Sequence, residues 1–311
     1  MGLGVSSNED IINQIRVDRN DIIKDLGLET ITPVDFIDGL YIKREDLFKP
    51  FSNSTVNGTK LRQCAYLLIK NLDKLENGVL SCCSVHSPQG IIVTELCKYL
   101  GINSTIFYGG TTQERLHILP IPKMILETGG NIEIVTKMGR LSVLNSIARK
   151  RQVETNEFIV EHGIDLMNNI DCFLGSVANQ VQNLPDGLDN LIITCGSAIS
   201  TTGILYGLRL FNKSVKNIIL VGVAPNREKR IADNLKELSA TLNINLDGFN
   251  IKYIDLFNTQ KGFKYEKREK ASFGDIIFHP NYEAKTFNWF KDKIDYKNKK
   301  TCFWVVGADV I

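Results

Sequence analysis

"GVLSCCSVHSPQGIIVTELCKYLG", residues 78–101, changes its period halfway along. The first half is a short apolar run of strand length, and the second half carries the spacing of a helix. Between them, Ser87 and Pro88 form a pairing common where helices begin, with proline at the first helical position. The same alternation continues down the chain. "STIFYGG" (104–110) precedes the helical "RLHILPIPKMILETGG" (115–130), and "NIEIV" (131–135) precedes "RLSVLNSIARKRQ" (140–152). "EFIVEHG" (157–163) precedes a predicted long helix over 165–184, and "NLIITCG" (190–196) leads into "STTGILYGLRLF" (200–211). "NIILVGV" (217–223) leads into "REKRIADNLKELSATL" (227–242). Short strands joined through helices predict right-handed parallel crossovers and an α/β fold. Binding sites in such sheets gather at the loops beyond the C-terminal ends of the strands.

A chain of 311 residues has room for two packed lobes with ample core. The expected division is a smaller α/β lobe at 55–153 and a discontinuous larger lobe made of 1–54 and 154–311. The fold class is therefore α/β, with two doubly wound lobes of mostly parallel sheet flanked by helices. Only 255–275, "DLFNTQKGFKYEKREKASFGD", reads as an irregular excursion.

Charge narrows the partners. The chain is 43% hydrophobic and 23% charged, with a formal net charge of +2, so no polyanionic partner is implied. The basic runs near 227–230, 264–270 and 291–300 are interspersed with acids and read as solvated faces or loops. A nucleic-acid partner is not expected. Seven cysteines, several inside apolar runs and none in a zinc-type pairing, read as small buried hydrophobes in a reducing compartment. The N-terminal stretch lacks the regions of a signal peptide, and no apolar run reaches membrane-spanning length. Gly2 and Ser6 match the MGxxxS acylation pattern, but no polybasic second signal accompanies it. A cytoplasmic protein without membrane contact is the expectation.

Three loops could carry chemistry. In "TCGSAISTTGILYGL" (194–208), a helix starting near Ser200 would present free backbone N–H groups, and Ser197, Ser200, Thr201 and Thr202 could add hydroxyl donors. That is the physics of a phosphate cradle; the competing reading is a Ser or Thr helix cap with a turn at Gly196. In "SCCSVHSPQG" (81–90), Ser87 and Gln89 lie near a helix start that could hold a carboxylate, or Ser87 is simply a cap. In "HPNYEAKTFNWF" (279–290), Glu283 falls in a first helical turn, where an acid is expected for dipole reasons alone.

A fourth stretch gives these loops a common purpose. "TVNGTKLRQCAYLL" (55–68) turns from a polar loop into an apolar-periodic helix and places Lys60 at its start, directly behind Gly58 and Thr59. A cation is disfavoured at that end of a helix. A positive helix end and desolvation both favour the neutral amine, the form that condenses with an aldehyde. Pyridoxal phosphate needs a lysine for its Schiff base, donors for its phosphate and a partner for its ring nitrogen.

The motifs themselves resemble a known family. "IKRED" (42–46) followed by "NGTKLRQCAYLL" is similar to the KRED…GGNKLRKLEYLL segment of fold-type II (tryptophan synthase beta-like) pyridoxal-phosphate enzymes. The nearest branch in pattern is 1-aminocyclopropane-1-carboxylate deaminase and D-cysteine desulfhydrase. "SVHSPQG" resembles that branch's GVQSNHT loop, "GSAISTTGI" aligns with the GTGGTITGI phosphate loop, and "HPNYEAKTF" resembles DPVYEGKSM. The similarity runs in order from about 40 to 290. It implies that Lys60 holds the cofactor and moves protons, and that Ser87 contacts the substrate carboxylate. Gly196, Ser197, Ser200 and Thr202 would cradle the phosphate, with Gln89 a further cofactor contact. Glu283 would face the pyridine nitrogen, and Tyr282 would be a catalytic phenol.

Some positions depart from the pattern. Pro88 stands where the family has asparagine, Ala198 and Ile199 replace two glycines, and Phe273-Gly274 replaces a Tyr-Gly pair. "CFWVVGADVI" (302–311) stops where relatives continue into HTGG and a final helix. The implied activity is that of a lyase or deaminase of amino-acid metabolism, acting on a small amino acid or related amine in a homodimer. The alternatives are a β- or γ-replacement synthase and a catalytically idle relative retained for binding.

Overall fold

In the computed structural model the alternation read from the sequence folds as a six-stranded and a four-stranded sheet, and a further pair of short strands forms a two-stranded ladder; the structure describes residues 19–54, 56–162, 164 and 167–307. The strands are β1 Val34–Ile37, β2 Leu40–Arg44, β3 Val79–Cys82, β4 Ser104–Gly109, β5 Asn131–Thr136 and β6 Phe158–Val160. They continue as β7 Leu188–Cys195, β8 Val215–Gly222, β9 Ile251–Asp255, β10 Ser272–Phe273, β11 Ile276–Ile277 and β12 Thr301–Val305.

The chain divides into two compact units. The smaller contains the described residues up to Thr30 with Cys64–His162; the larger contains Ile31–Gln63 with the described residues beyond His162. These bounds differ from the expected ones at three places, each for a local reason. Residues 19–30, expected in the larger lobe, lie in the smaller unit, where Arg19 bonds to Asp73 and Tyr99 donates to Asp25. Residues 56–63 lie in the larger unit, because Gly58 N bonds to Phe48 O (2.9 Å) and Thr59 N to Val306 O (2.8 Å). Residues 154–162 lie in the smaller unit, because β6 pairs in parallel with β3.

The smaller unit is built on a four-stranded sheet in the order β5-β4-β3-β6, parallel throughout. Side chains of a strand alternate between faces. Leu80 and Cys82 on one face pack with Leu144 and Ala148 of the helix Leu141–Thr155. On the other face, Ser81 accepts a hydrogen bond from Gln89 of the helix Gln89–Tyr99. Helices therefore cover both faces, as in a doubly wound unit.

The larger unit carries a six-stranded sheet in the order β1-β2-β12-β7-β8-β9, parallel except for the β1–β2 pair. Leu191, Ile193, Leu220 and Trp304 pack on one face with Ile204, Leu205 and Leu208 of the helix Ile199–Leu210. Ile192, Ile219, Val221 and Phe303 pack on the opposite face with Ala284, Phe287 and Phe290 of the helix Glu283–Phe290. Near-continuous apolar runs are what a sheet buried on both faces requires.

Two predicted helices are broken. The stretch 115–130 splits before the helix Pro120–Thr128, whose first residue is proline with no N–H to continue a preceding turn. Over 167–184 the chain forms the short helix Ile170–Ser176 flanked by 3₁₀ turns at Met167–Asn169 and Ala178–Val181. All seven cysteines are free and buried. Among the described residues no helix is long and apolar enough to cross a membrane. Gly2 and Ser6 of the acylation pattern lie outside the described residues.

Candidate active site

The residues of the KRED motif build the seat for the helix that bears Lys60. Lys43 is fully buried, its ammonium donating to Thr32 O (2.6 Å) and Asn183 Oδ1 (2.9 Å); desolvation pulls its pKa down to about 8. Arg44 bonds to Asp46 and Asp35. Glu45 is also fully buried and accepts from Thr32 Oγ1 (2.5 Å) and Thr59 Oγ1 (3.3 Å), while Arg62 stands 3.8 Å from it. The Arg62 guanidinium in turn lies 3.7 Å from the centre of the Phe48 ring. The first turn of the helix Gly58–Lys70 is thereby clamped from both ends of its charge pair, and Lys60, its third residue, is half-buried.

Gly58 sets how closely that turn approaches the end of β12. Its φ is +82°, and a Cβ there would overlap the Val306 carbonyl oxygen and lie 2.8 Å from Gly307 Cα. Only glycine meets both conditions without strain. The segment it touches is the one that holds Glu283. Val306 N donates to Glu283 Oε1 at 3.0 Å. The side chain of Glu283 is wholly buried, and its Oε2 makes no hydrogen bond. Burial pushes the carboxyl up to about 8, against the pull of the amides of Glu283, Val306 and Gly307. A buried acceptor left open in this way calls for a donor from a ligand.

The loop after β7 is anion-binding in form. The helix Ile199–Leu210 has Ala198 as N-cap, at φ +74°, and no side chain caps it. The first amides of that helix are accordingly uncapped, at its electropositive end. Ser200 is a residue of the helix rather than its cap, and its Oγ accepts from Gln63 Nε2 at 3.3 Å. Ser197 and Gly196 are half-buried at the turn. Thr202 is bound into the helix: its hydroxyl donates to Ala198 O (2.8 Å) and accepts from Asn234 (3.2 Å). Arg227, which sequence reasoning passed over, donates its Nε to Gly196 O at 3.4 Å. Nothing in the spacing of Arg227 distinguished it from its neighbours in a solvated basic run.

Tyr282 joins this loop to the helix Glu283–Phe290. Its ring edge is 3.8 Å from where a Cβ on Gly196 would stand, and its hydroxyl is 2.6 Å from that of Tyr265. Tyr265 also escaped the sequence reading, because it lies in the excursion 255–275. Its carbonyl is fixed by Lys285 Nζ (2.7 Å) and Asn281 Nδ2 (3.0 Å). His279 packs against Tyr282 with ring centres 4.6 Å apart and the planes tilted by 32°, and burial pulls its pKa down to about 3, leaving it neutral.

Lys60, Gly196, Ser197, Ser200, Thr202, Tyr282 and Glu283 all fall in the larger unit. Ser87 and Gln89 fall in the smaller one. There Pro88 is the N-cap of the helix Gln89–Tyr99, and Ser87 Oγ accepts from Gln89 N at 3.3 Å. The side-chain amide of Gln89 donates to Ser81 Oγ (3.1 Å) and Glu161 O (3.1 Å), tying β3 to the end of β6.

No protein-family model matches the chain. A curated protein of Salmonella phage ViI, an O-seryl-dTMP PLP-dependent decarboxylase, is 26% identical across 98% of this chain and 88% of its own length. The crystal structure of an ACC deaminase homologue superposes with a TM-score of 0.70 at 18% identity, covering 93% of this chain and 95% of that one. Serine racemase from Dictyostelium discoideum gives 0.56 at 15% identity, covering 95% and 98%. Threonine deaminase isoform 2 from Solanum lycopersicum gives 0.58 at 16%, covering 99% and 92%. The order of strands, the lysine at a helix start and these full-length likenesses agree: the chain has the fold of the fold-type II pyridoxal-phosphate enzymes.

Proposed function

We propose that the chain is a pyridoxal-phosphate-dependent lyase of the deaminase kind, acting on a small amino acid or an amino-acid-like amine. The observation that carries this reading is Glu283, wholly buried with Oε2 open, braced by Val306 against the turn that bears Lys60. When bound, pyridoxal phosphate supplies an electron sink for charge developing at the substrate's Cα. Lys60 would hold the cofactor and carry the proton removed from that carbon. Glu283 would accept a hydrogen bond from the protonated ring nitrogen, its negative charge keeping that proton in place. The uncapped first turn of the helix Ile199–Leu210, with Gly196, Ser197 and Ser200, would hold the phosphate. Thr202 would support that turn through Ala198 O rather than touch the phosphate directly. Tyr282 would serve as a proton donor or acceptor at the substrate.

A second reading concerns which bond is cut. The likeness to the phage decarboxylase extends over 98% of this chain, which supports loss of carbon dioxide from a seryl group carried on thymidine monophosphate. Both readings need the same carbanion stabilisation, so Glu283 and Lys60 serve either. The free, buried thiols support a cytoplasmic setting, and a homodimer is the assembly we infer; sedimentation of the purified protein tests the latter.

The test begins with the absorption spectrum of purified protein. A visible band lost on borohydride reduction, with the label mapped to Lys60 and absent from Lys60→Ala, is the expected result. A protein that binds no pyridoxal phosphate, or is labelled elsewhere, overturns the reading. D- and L-amino acids, aminocyclopropane carboxylate and O-seryl-dTMP, assayed for ammonia and for carbon dioxide, then separate the two readings.

A further inference from the structure

The loop after β7 is met at its two ends by long polar side chains, and only one of them is charged. At the Ser200 end stands Gln63, from the helix Gly58–Lys70 that bears Lys60. Gln63 is 1% exposed, its Nε2 donates to Ser200 Oγ at 3.3 Å, and its Oε1 has no hydrogen-bond partner. The segment GGNKLRKLEYLL, which "NGTKLRQCAYLL" resembles, has lysine at this position. Turned end for end, the Gln63 amide would accept from the Ser200 hydroxyl and offer Nε2 to an anion. It has a hydrogen bond to give, but no charge.

At the other end stands Arg227. Its Nε donates to Gly196 O at 3.4 Å. Strands β7 and β8 pair in register up to Cys195 and Gly222, and Val223 N donates to Cys195 O at 3.1 Å. The chain leaving β8 therefore runs beside the chain leaving β7. Arg227 is anchored there, because its backbone N donates to Tyr253 Oη (3.3 Å), and that hydroxyl fills the space a Cβ on Gly222 would need. Arg44, Arg149 and Arg151 are each held by carboxylates. Half-buried Arg227 has no carboxylate partner among the described residues.

We infer that Arg227 is the cationic contact for the cofactor's phosphate, carrying at the start of the helix Glu228–Leu242 the charge that position 63 lacks. This rests on the cofactor reading given above. The two departures compensate: Gln63 leaves the Ser200 end of the loop neutral, and Arg227 brings charge to the Gly196 end. A guanidinium can meet two phosphate oxygens at once, where an ammonium acts as a point charge. Its field reaches the strand end from which the loop springs. Burial raises the Cys195 thiol above its ordinary pKa, and the Arg227 charge is one of the influences opposing that rise.

The test is binding to cofactor-free protein, read from the visible band for pyridoxal phosphate and for pyridoxal, which lacks the phosphate. Arg227→Gln should weaken pyridoxal phosphate roughly tenfold or more, through loss of a charge-assisted contact, and leave pyridoxal within about twofold. The melting temperature of the cofactor-free protein should not change. Arg227→Lys should recover part of the loss. Gln63→Lys in the Arg227→Gln background should recover it too, from the opposite end of the loop, which a mere brace on Gly196 could not allow. Equal losses for both ligands, no loss, or a loss that neither lysine repairs overturns the inference. If thymidine monophosphate loses affinity in Arg227→Gln while pyridoxal phosphate does not, Arg227 serves a substrate phosphate and the assignment falls. Failure of the wild type to take up pyridoxal phosphate would strike the cofactor reading instead. Calorimetry with inorganic phosphate then decides the role of Arg227: weaker binding to Arg227→Gln upholds a phosphate contact, and equal affinity overturns it.

Discussion

Val306 donates its amide to one oxygen of Glu283 at 3.0 Å and leaves the other oxygen buried and open. The pairing is unusual for a first-turn helix acid, whose ordinary place is at the surface, stabilised by the dipole. Here the same residue type at the same position is enclosed. What the dipole and three amides give back does not offset the loss of water, and the carboxyl sits at about 8.

That displacement makes stability depend on pH in a stated direction. An unfolded glutamate titrates near about 4.3, and the folded group near 8, so between these values the folded protein binds more protons than the unfolded chain. Stability from this residue is greatest below the unfolded pKa, declines as pH rises towards 8 and is flat beyond. In cofactor-free protein, Glu283→Gln should remove this decline. Melting temperatures of wild type and variant, measured from pH 4 to 9, should diverge in favour of the variant as pH rises. Parallel curves would mean that Glu283 is solvated.

Ser200→Asp separates ligand binding from helix stability. The helix Ile199–Leu210 is capped by Ala198, so residue 200 lies inside its first turn, where an added carboxylate gains about 0.3–1 kcal/mol from the dipole. The cofactor-free variant should melt at or above the wild-type temperature. Pyridoxal phosphate should nevertheless bind more weakly, since its phosphate would meet a like charge. Unchanged affinity, read from the visible band, would place the phosphate elsewhere.

The two sheets were legible because alternation survives burial: Leu80 and Cys82 face one way and Ser81 the other, as a period of two demands. The central strand β12 was not. "CFWVV" is apolar throughout, and nothing local shows that it inserts between β2 and β7. Lys60 and Glu283 could be singled out by residue type and position at helix starts. Tyr265 could not, since its approach to Tyr282 depends on Lys285 and Asn281 gripping a loop without periodicity. The hydroxyl run 197–202 pointed to a Ser or Thr cap, yet the backbone turns at Ala198 in a conformation that propensity reserves for glycine or asparagine.

Gly58→Ala tests the close approach beside Lys60. At φ +82° a side chain is strained, and the new methyl would press into the Val306 carbonyl and Gly307. Backbone strain of about 1–2 kcal/mol and overpacking of about 1–3 kcal/mol add to roughly 2–5 kcal/mol lost on denaturant unfolding. A loss below 1 kcal/mol would show that β12 can retreat.

Ala198 poses the opposite question, and here the magnitudes nearly cancel. At φ +74° an alanine carries roughly 1–2 kcal/mol of strain that glycine would relieve. Against this, glycine gives the unfolded chain more freedom, worth about 0.4–1 kcal/mol. The buried methyl of Ala198 is also lost, worth about 0.8 kcal/mol. Ala198→Gly should therefore leave stability within about 0.8 kcal/mol of wild type, the sum of these three terms. Ala148 is the control. It is equally buried, lies in the interior of the helix Leu141–Thr155 and has no positive φ to relieve. There the helix penalty of glycine, about 1 kcal/mol, adds to the lost methyl, and Ala148→Gly should cost about 2 kcal/mol. Urea unfolding of the two variants side by side reads the difference. If both lose the same amount, residue 198 is not strained, and the phosphate-loop helix must start in some other way.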